Sequence, residues 1–246
     1  MRGSNVQIGT PRYNSYSLCL SSDRQIDYRL KVLISHETFH NWLGSKIKAS
    51  NPEELLYWFT EGFSEFYARL ILLRSNLITF DEYLDGYNKV LEEYSKSPYR
   101  FEKNEILVNN YWTDKDYNRL PFLRGDIIAH NLNSAIMNYS GGKKSLDDFM
   151  YEIFNRSKYE SFVVSSGNIY NLIRFYSGEQ TLSDITKSLN SGILLKPYQD
   201  ALGPCFTVQT ENTKKYWLFG EEFEIPKYVV RNEKELLNKD CFSVLG

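Results

Sequence analysis

The chain of 246 residues has few cysteines, and their spacing excludes two common kinds of site. It contains three, Cys19, Cys205 and Cys241, an odd number whose spacing matches no metal-binding motif. The sequence therefore indicates neither a disulfide framework nor a cysteine zinc knot. We expect the three thiols to pack as small hydrophobic side chains.

Long apolar runs and a large net charge are also absent. No stretch is apolar for long enough to span a bilayer, and the net charge of −2 predicts neither nucleic acid nor a membrane surface as partner. No signal peptide is recognisable, and the opening MRGS resembles a leader added for expression, so we expect a soluble protein whose native N-terminus is missing. The cellular compartment and the oligomeric state stay open.

What the sequence does contain is an H-E-x-x-H motif, HETFH at 36–40, within a run of helical periodicity. Residues four apart on an α-helix lie about 40° apart around its axis, so His36 and His40 face the same way. Glu37 lies about 60° from His40, so its carboxylate can reach a water on a metal without binding the ion. The spacing predicts a zinc site with Glu37 as the general base.

The alternative is that these side chains share a helix face by chance and form ordinary hydrogen bonds. The apolar pattern weakens that alternative, because it places His36 on the buried side of the helix, where polar groups need partners. The inward positions are Tyr28, Val32, His36, Phe39, Leu43 and Ile47.

A third ligand candidate, Glu61, lies on the next predicted helix. Asn51 as N-cap, Pro52 at the first position and Glu54 in a capping-box arrangement predict where this helix starts. Its apolar positions indicate antiparallel packing on the first helix, with Gly62 allowing close approach. Two histidines and one carboxylate, with one position left open, form a ligand set of catalytic zinc.

Two neighbours could support the ligands. Glu65 lies one turn beyond Glu61 and could orient a ligand histidine through its free N–H, although it could equally be an exposed helix carboxylate. Asn41, next to His40, is the other candidate.

The rest of the chain predicts a mainly α fold with a small β part. Helices are expected from Thr79 to about Pro98 and at 120–139, 146–155, 167–176 and 182–189, with a loop between 99 and 118. Strands are expected at 16–20, 205–208, 216–219 and 228–230. We divide the chain into a strand and loop at 1–24, a helical catalytic domain at 25–203 and a β-rich segment at 204–246.

With both motif helices in place, the sequence resembles the gluzincin metallopeptidases and is most similar to the glycyl aminopeptidase family. HETFH at 36–40 and WFTEGF at 58–63 carry the resemblance, supported by LLRSNLI at 72–78, RG at 124–125 and LKPY at 195–198. The resemblance implies a thermolysin-like helical catalytic domain, one Zn²⁺ per chain, and attack of a zinc-bound water on a peptide carbonyl.

Two positions depart from the family pattern. Phe122 stands where the family has a tyrosine that stabilises the oxyanion, so zinc alone must polarise the carbonyl unless Tyr117 or Tyr111 replaces that donor. Pro11 stands where the family has an acidic residue that binds the substrate amine. The β-domain and PDZ module usual in the family are not recognisable.

Two functions therefore remain open. The first is a zinc peptidase, of aminopeptidase type by resemblance, acting on peptides with Glu37 as base. The second is a zinc-binding domain of weakened catalysis that serves as a peptide-binding or structural module. His130, on the helix at 120–139, is interpreted as a structural histidine.

Overall fold

The computed structural model describes residues 8–12, 14–21, 23, 25–214, 222–231, 241, 244 and 245. The helices in this part are α1 (Tyr28–Phe39), α2 (Tyr57–Arg74), α3 (Phe80–Lys96), α4 (Leu107–Asn110), α5 (Lys115–Ser140), α6 (Leu146–Tyr159) and α7 (Ser166–Ser191). The strands are β1 (Ile8–Arg12), β2 (Ser15–Cys19), β3 (Phe206–Lys214) and β4 (Glu222–Val230). A mainly helical fold with a small β part is confirmed, and among these helices none has the length and apolarity to cross a membrane.

The strands form two separate antiparallel pairs. β2, predicted as one strand of unknown partner, pairs with the preceding β1, from Ile8 opposite Cys19 to Arg12 opposite Ser15. β3 pairs with β4, and β4 is fixed to α3 by Asn88, whose side-chain amide exchanges two hydrogen bonds with the backbone of Tyr228. The strand predicted at 216–219 lies outside the described residues.

The first motif helix ends earlier than its apolar pattern indicates. Asp27 caps the start of α1 by accepting a hydrogen bond from the Leu30 N–H, and His40 is the C-cap. Leu43 is buried as predicted, but it lies in a turn after the helix, where Gly44 has a φ of 105°. The turn brings the Leu43 carbonyl oxygen to within 3.0 Å of His40 Nδ1.

The predicted capping arrangement at the start of the second helix is wrong. The Asn51–Pro52 peptide is cis, and Pro52 has an extended backbone with no side-chain cap. A 3₁₀ turn at Glu53–Leu56 follows, and α2 begins only at Tyr57.

Gly62 does allow a close approach, but to α5. A Cβ on Gly62 would overlap the backbone of Gly125, and one on Gly125 would overlap the Trp58 carbonyl. α5 is the central helix, buried almost throughout from Leu120 to Ile136, and this contact sets its distance from the helix that carries Glu61.

The segment between 99 and 118, predicted as a loop, contains more helix than its weak apolar periodicity indicates. It contains α4, and α5 begins at Lys115 with Asp114 as N-cap. Gly141 ends α5 with a φ of 63°, close to the predicted end of this helix at 139. The two helices predicted at 167–176 and 182–189 are the halves of α7, which are separated by the non-helical Gly178.

The prediction that all three cysteines pack as small hydrophobic thiols is wrong. Cys205 and Cys241 form a disulfide with their Cα atoms 5.1 Å apart, while Cys19 is free and exposed. The pair is separated by 36 residues in sequence, so no local spacing reveals it. The β3–β4 pair folds the chain back between the two cysteines.

Candidate metal centre

The last turn of α1 and the first turns of α2 bring three ligand atoms together. His36 and His40 are both buried, and the Glu61 side chain is 19% exposed. Glu61 Oε2 lies 3.3 Å from the Nε2 atom of each histidine. The two Nε2 atoms are 3.0 Å apart.

These separations fit a tetrahedral zinc ion. Ligands bound at about 2.0–2.2 Å in a tetrahedron lie about 3.3 Å from one another. His40 Nδ1 lies 3.0 Å from the Leu43 carbonyl oxygen, so an Nδ1–H donates there and the Nε2 lone pair is left facing Glu61. His36 Nδ1 is buried and has no partner among the described residues. The donor set, two imidazoles and one carboxylate, is suitable for zinc.

The electrostatics of the three groups also favour a cation. Burial acts to raise the pKa of Glu61. When both rings are protonated, the hydrogen bonds that His36 and His40 donate from Nε2–H, together with their charge, outweigh burial and lower the pKa to about 2. Burial acts to lower the pKa of His40, but the bond to Glu61 and its charge raise it. Glu61 and His40 therefore both favour positive charge at the centre of the cluster.

Glu37 lies beside this cluster with an uncommitted carboxylate. It is 6% exposed, and its Oε2 atom makes no hydrogen bond within the described structure. Burial raises its pKa, and the charge of Glu61 adds to the effect against the opposing influence of both histidines. A carboxylate without a partner and with a raised pKa can accept a proton.

The cluster forms one part of the lining of a cleft of about 840 Å³, a size typical of ligand sites. Of the two tyrosines predicted as oxyanion donors, Tyr111 lines this cleft and Tyr117 does not. Tyr117 instead stacks on Tyr99, with ring centroids 3.5 Å apart. Burial, followed by the charge of Glu61, raises the pKa of Tyr111, which keeps its hydroxyl protonated at neutral pH.

Phe122 contacts a ligand directly. Its ring stacks on the His36 imidazole with centroids 5.8 Å apart and planes 19° from parallel. The Arg119 guanidinium lies 5.6 Å from the same ring. The Phe122 ring is therefore part of the wall that holds His36.

The two predicted supporting residues have other partners. Glu65 accepts a hydrogen bond from Arg119 at 3.0 Å and pairs with Arg69 at 3.8 Å, and it does not bond to His36. The Asn41 amide donates to the Thr38 carbonyl. Glu65 thus faces α5, and the arginines that line the cleft beside it were missed, although the i,i+4 spacing of Glu65 and Arg69 was a usable signal.

His130 lies away from the cleft, in the core. Its Nδ1–H donates to the Asp126 carbonyl at 2.9 Å, and its Nε2 accepts from the Tyr83 hydroxyl at 2.8 Å. Burial lowers the pKa of His130 despite the nearby Asp126 carboxylate, which favours the neutral ring. These contacts are those of a structural histidine, which agrees with the interpretation of His130 from the sequence.

The helical fold and the grouping of His36, His40 and Glu61 agree with the predicted resemblance to the gluzincin metallopeptidases. Comparison with known families agrees: residues 29–119 match the model of the M61 glycyl aminopeptidases. This segment includes His36, Glu37, His40 and Glu61, and the predicted resemblance to a gluzincin-like aminopeptidase family is thereby confirmed.

One solved structure similar to this chain is a mutant M1 zinc metallopeptidase from Deinococcus radiodurans, bound to a Tyr-Ser-Ala substrate. The identity is 16% and the TM-score 0.51, over 78% of this chain and 40% of that one. This likeness establishes the fold, and the chain spans less than half the length of that relative. No curated protein matches the chain.

Proposed function

We propose that the chain is a zinc-dependent peptidase of aminopeptidase type, in which His36, His40 and Glu61 hold one Zn²⁺ and Glu37 is the general base. The observation that carries the proposal is the convergence of three ligand atoms beside an uncommitted carboxylate in one cleft. The peptidase family match and the zinc metallopeptidase neighbour support it. Residues 25–203, which contain all four side chains, would be the catalytic domain.

Each residue has a defined task in this proposal. Bound zinc would supply a Lewis acid that polarises a peptide carbonyl and lowers the pKa of a water to about 7. Glu37 takes the proton from the attacking water and returns it to the leaving amine, for which its raised pKa is suitable. Tyr111, whose hydroxyl stays protonated in the cleft, donates a hydrogen bond to the oxyanion.

One observation favours the second function, a zinc-binding domain of weakened catalysis. Phe122 has no hydroxyl, and its ring is engaged in stacking on His36. If Tyr111 does not replace the missing donor, the site would bind zinc and peptide but hydrolyse slowly.

Metal analysis combined with a peptide-library digest, read by mass spectrometry, tests both functions. We expect the wild type to hold one zinc and to cleave peptides, and Glu37→Gln to keep the zinc while losing about 10²-fold or more in turnover. Glu105→Gln, which changes an exposed carboxylate with a 76% exposed side chain, is the matched control and should behave as wild type. Zinc without cleavage in the wild type would support the second function, and absence of zinc would contradict both.

A further inference from the structure

One end of the cleft lies where α1 packs on α3. Tyr28, at the start of α1, lies over Gly86 of α3, where an added Cβ would overlap the Tyr28 hydroxyl. The same Cβ would stand 3.3 Å from Arg69 Cδ. The phenol and the arginine therefore lie side by side, and both line the cleft that contains the metal centre.

Two buried hydrogen-bond donors at this end have no acceptor in the described structure. Arg69 is 3% exposed and uses its two terminal nitrogens for Asp126 and Glu65, which leaves Nε–H unpartnered. The Tyr28 hydroxyl is also buried and unpartnered. Burial raises the pKa of Tyr28 against the opposing charge of Arg69, so the phenol remains a donor at neutral pH. An unpaired buried donor costs free energy that a bound acceptor would recover.

The charge at this end is positive. Arg29 follows Tyr28 and Lys89 lies one turn beyond Gly86; both are exposed, line the cleft and form no ion pair with any described residue. The two carboxylates that line the cleft outside the metal centre, Glu65 and Glu93, both accept hydrogen bonds from Arg119. The uncommitted charges here are therefore cationic.

We propose that this end of the cleft binds a carboxylate group of the peptide substrate, with Arg69 Nε–H and the Tyr28 hydroxyl as donors and Arg29 and Lys89 as counter-charges. The inference rests on the proposed peptidase function, which supplies the peptide. A carboxylate offers acceptor oxygens to several donors at once and gains from charge-assisted hydrogen bonds. The group could come from the C-terminus of a short peptide or from an acidic side chain.

Calorimetric binding to the zinc-loaded Glu37→Gln variant distinguishes these sources. The probes are trialanine with a free C-terminus, trialanine amide, and Ala-Ala-Glu amide. At least one carboxylate probe should bind about tenfold more tightly than trialanine amide, with a smaller difference at high salt. Preference for the free acid identifies the C-terminus, and preference for the Glu amide identifies a side chain. Equal binding of the three probes would overturn the proposal.

Variants locate the effect in the cleft. The double change Arg29→Gln with Lys89→Gln, and separately Tyr28→Phe, should reduce the carboxylate preference to about threefold or less, without weakening binding of the amide. Lys143→Gln, an exposed lysine outside the cleft, should keep the full preference. Thermal unfolding checks that Tyr28→Phe is folded. If Tyr28→Phe is unfolded, the double variant of Arg29 and Lys89, which changes only exposed side chains, provides the test. Full preference in the double variant would overturn the proposal.

Hydrolysis is measured separately on the wild type. Carboxylate-selective binding without hydrolysis would refute the peptidase function and leave the carboxylate site standing. Hydrolysis with equal binding of acid and amide would support the peptidase function and refute the carboxylate site.

Discussion

The backbone of Gly9 lies directly against the carboxylate of Glu37. A Cβ added to Gly9 would overlap the Glu37 side chain, so the strand β1 leaves no space there for a methyl group. The contact confines the carboxylate beside the metal ligands. The short β1–β2 pair thus contributes to the site, although it supplies none of the three ligand atoms.

Gly9→Ala should therefore reduce turnover and leave zinc binding intact. The new methyl group must displace either β1 or Glu37, and a shift of about 1 Å in a catalytic group can cost about 10²-fold in rate. Zinc content and peptide turnover are the measurements. Gly167→Ala is the matched control, because a Cβ there meets nothing within 4 Å. Unchanged turnover in Gly9→Ala would show that the position of Glu37 does not depend on this contact.

The sequence predicted the features of the site that depend on local geometry. Four-residue spacing places His36 and His40 on one face of a helix whatever packs against it. The helix expected from Thr79 likewise begins there, with a capping box between Thr79 and Glu82 that depends only on its own backbone. The proximity of Glu61 required only that a second helix pack on the first.

What the sequence could not predict depends on contacts between distant segments. The direction of Glu65 is set by α5, which is held close to α2 by the contact of Gly62 with Gly125. The Gly9–Glu37 contact needs a strand whose partner and position no periodic pattern reveals. The Cys205–Cys241 pair likewise depends on how β3 and β4 fold back.

His40→Ala should abolish stoichiometric zinc binding, because only two ligands remain. In the wild type, added zinc should raise the midpoint of thermal unfolding by preferential binding to the folded state, and a chelator should reverse the shift. The variant should show neither effect. Asn41→Ala, which changes the adjacent residue outside the ligand set, should respond to zinc as wild type does. One zinc per chain in His40→Ala would contradict the assignment.

Asp126→Asn should destabilise the fold by about 3–5 kcal/mol, because it removes the charged partner of the buried Arg69 guanidinium. Burial acts to raise the pKa of Asp126, but Arg69 and His130 outweigh it, so the folded-state pKa is lowered. The stability from this carboxylate is therefore complete above its unfolded pKa of about 3.9 and is lost as the pH falls through the lower folded value.

Urea unfolding at neutral pH and at acidic pH measures both effects. The loss of stability between them should be smaller in Asp126→Asn than in the wild type. Asp85→Asn, on the exposed face of α3, should match the wild type at both values. Equal acid sensitivity in Asp126→Asn and the wild type would show that this ion pair does not contribute.

The positions of Tyr111, Tyr117 and Phe122 distinguish three sources of an oxyanion donor. Tyr111 is buried, lines the cleft, and its hydroxyl interacts with the side chain of Asn118. Tyr117 is stacked on Tyr99, outside the lining of the cleft. Phe122 lies against His36 but has no hydroxyl. Tyr111 is therefore the candidate that the geometry favours.

Tyr111→Phe should reduce turnover on a peptide by about 10²- to 10³-fold, or about 2.7–4 kcal/mol, the usual cost of one oxyanion donor. Tyr117→Phe should be nearly neutral and is the matched control, since it removes the same hydroxyl from a side chain outside the cleft. Phe122→Tyr should also be nearly neutral if Tyr111 already supplies the donor, whereas a site without any donor would gain turnover from the new hydroxyl. All three variants must be assayed at equal zinc content, with unfolding measured separately. A rise in turnover in Phe122→Tyr, together with no change in Tyr111→Phe, would mean that the donor is missing and that the rate of this site is limited by its absence.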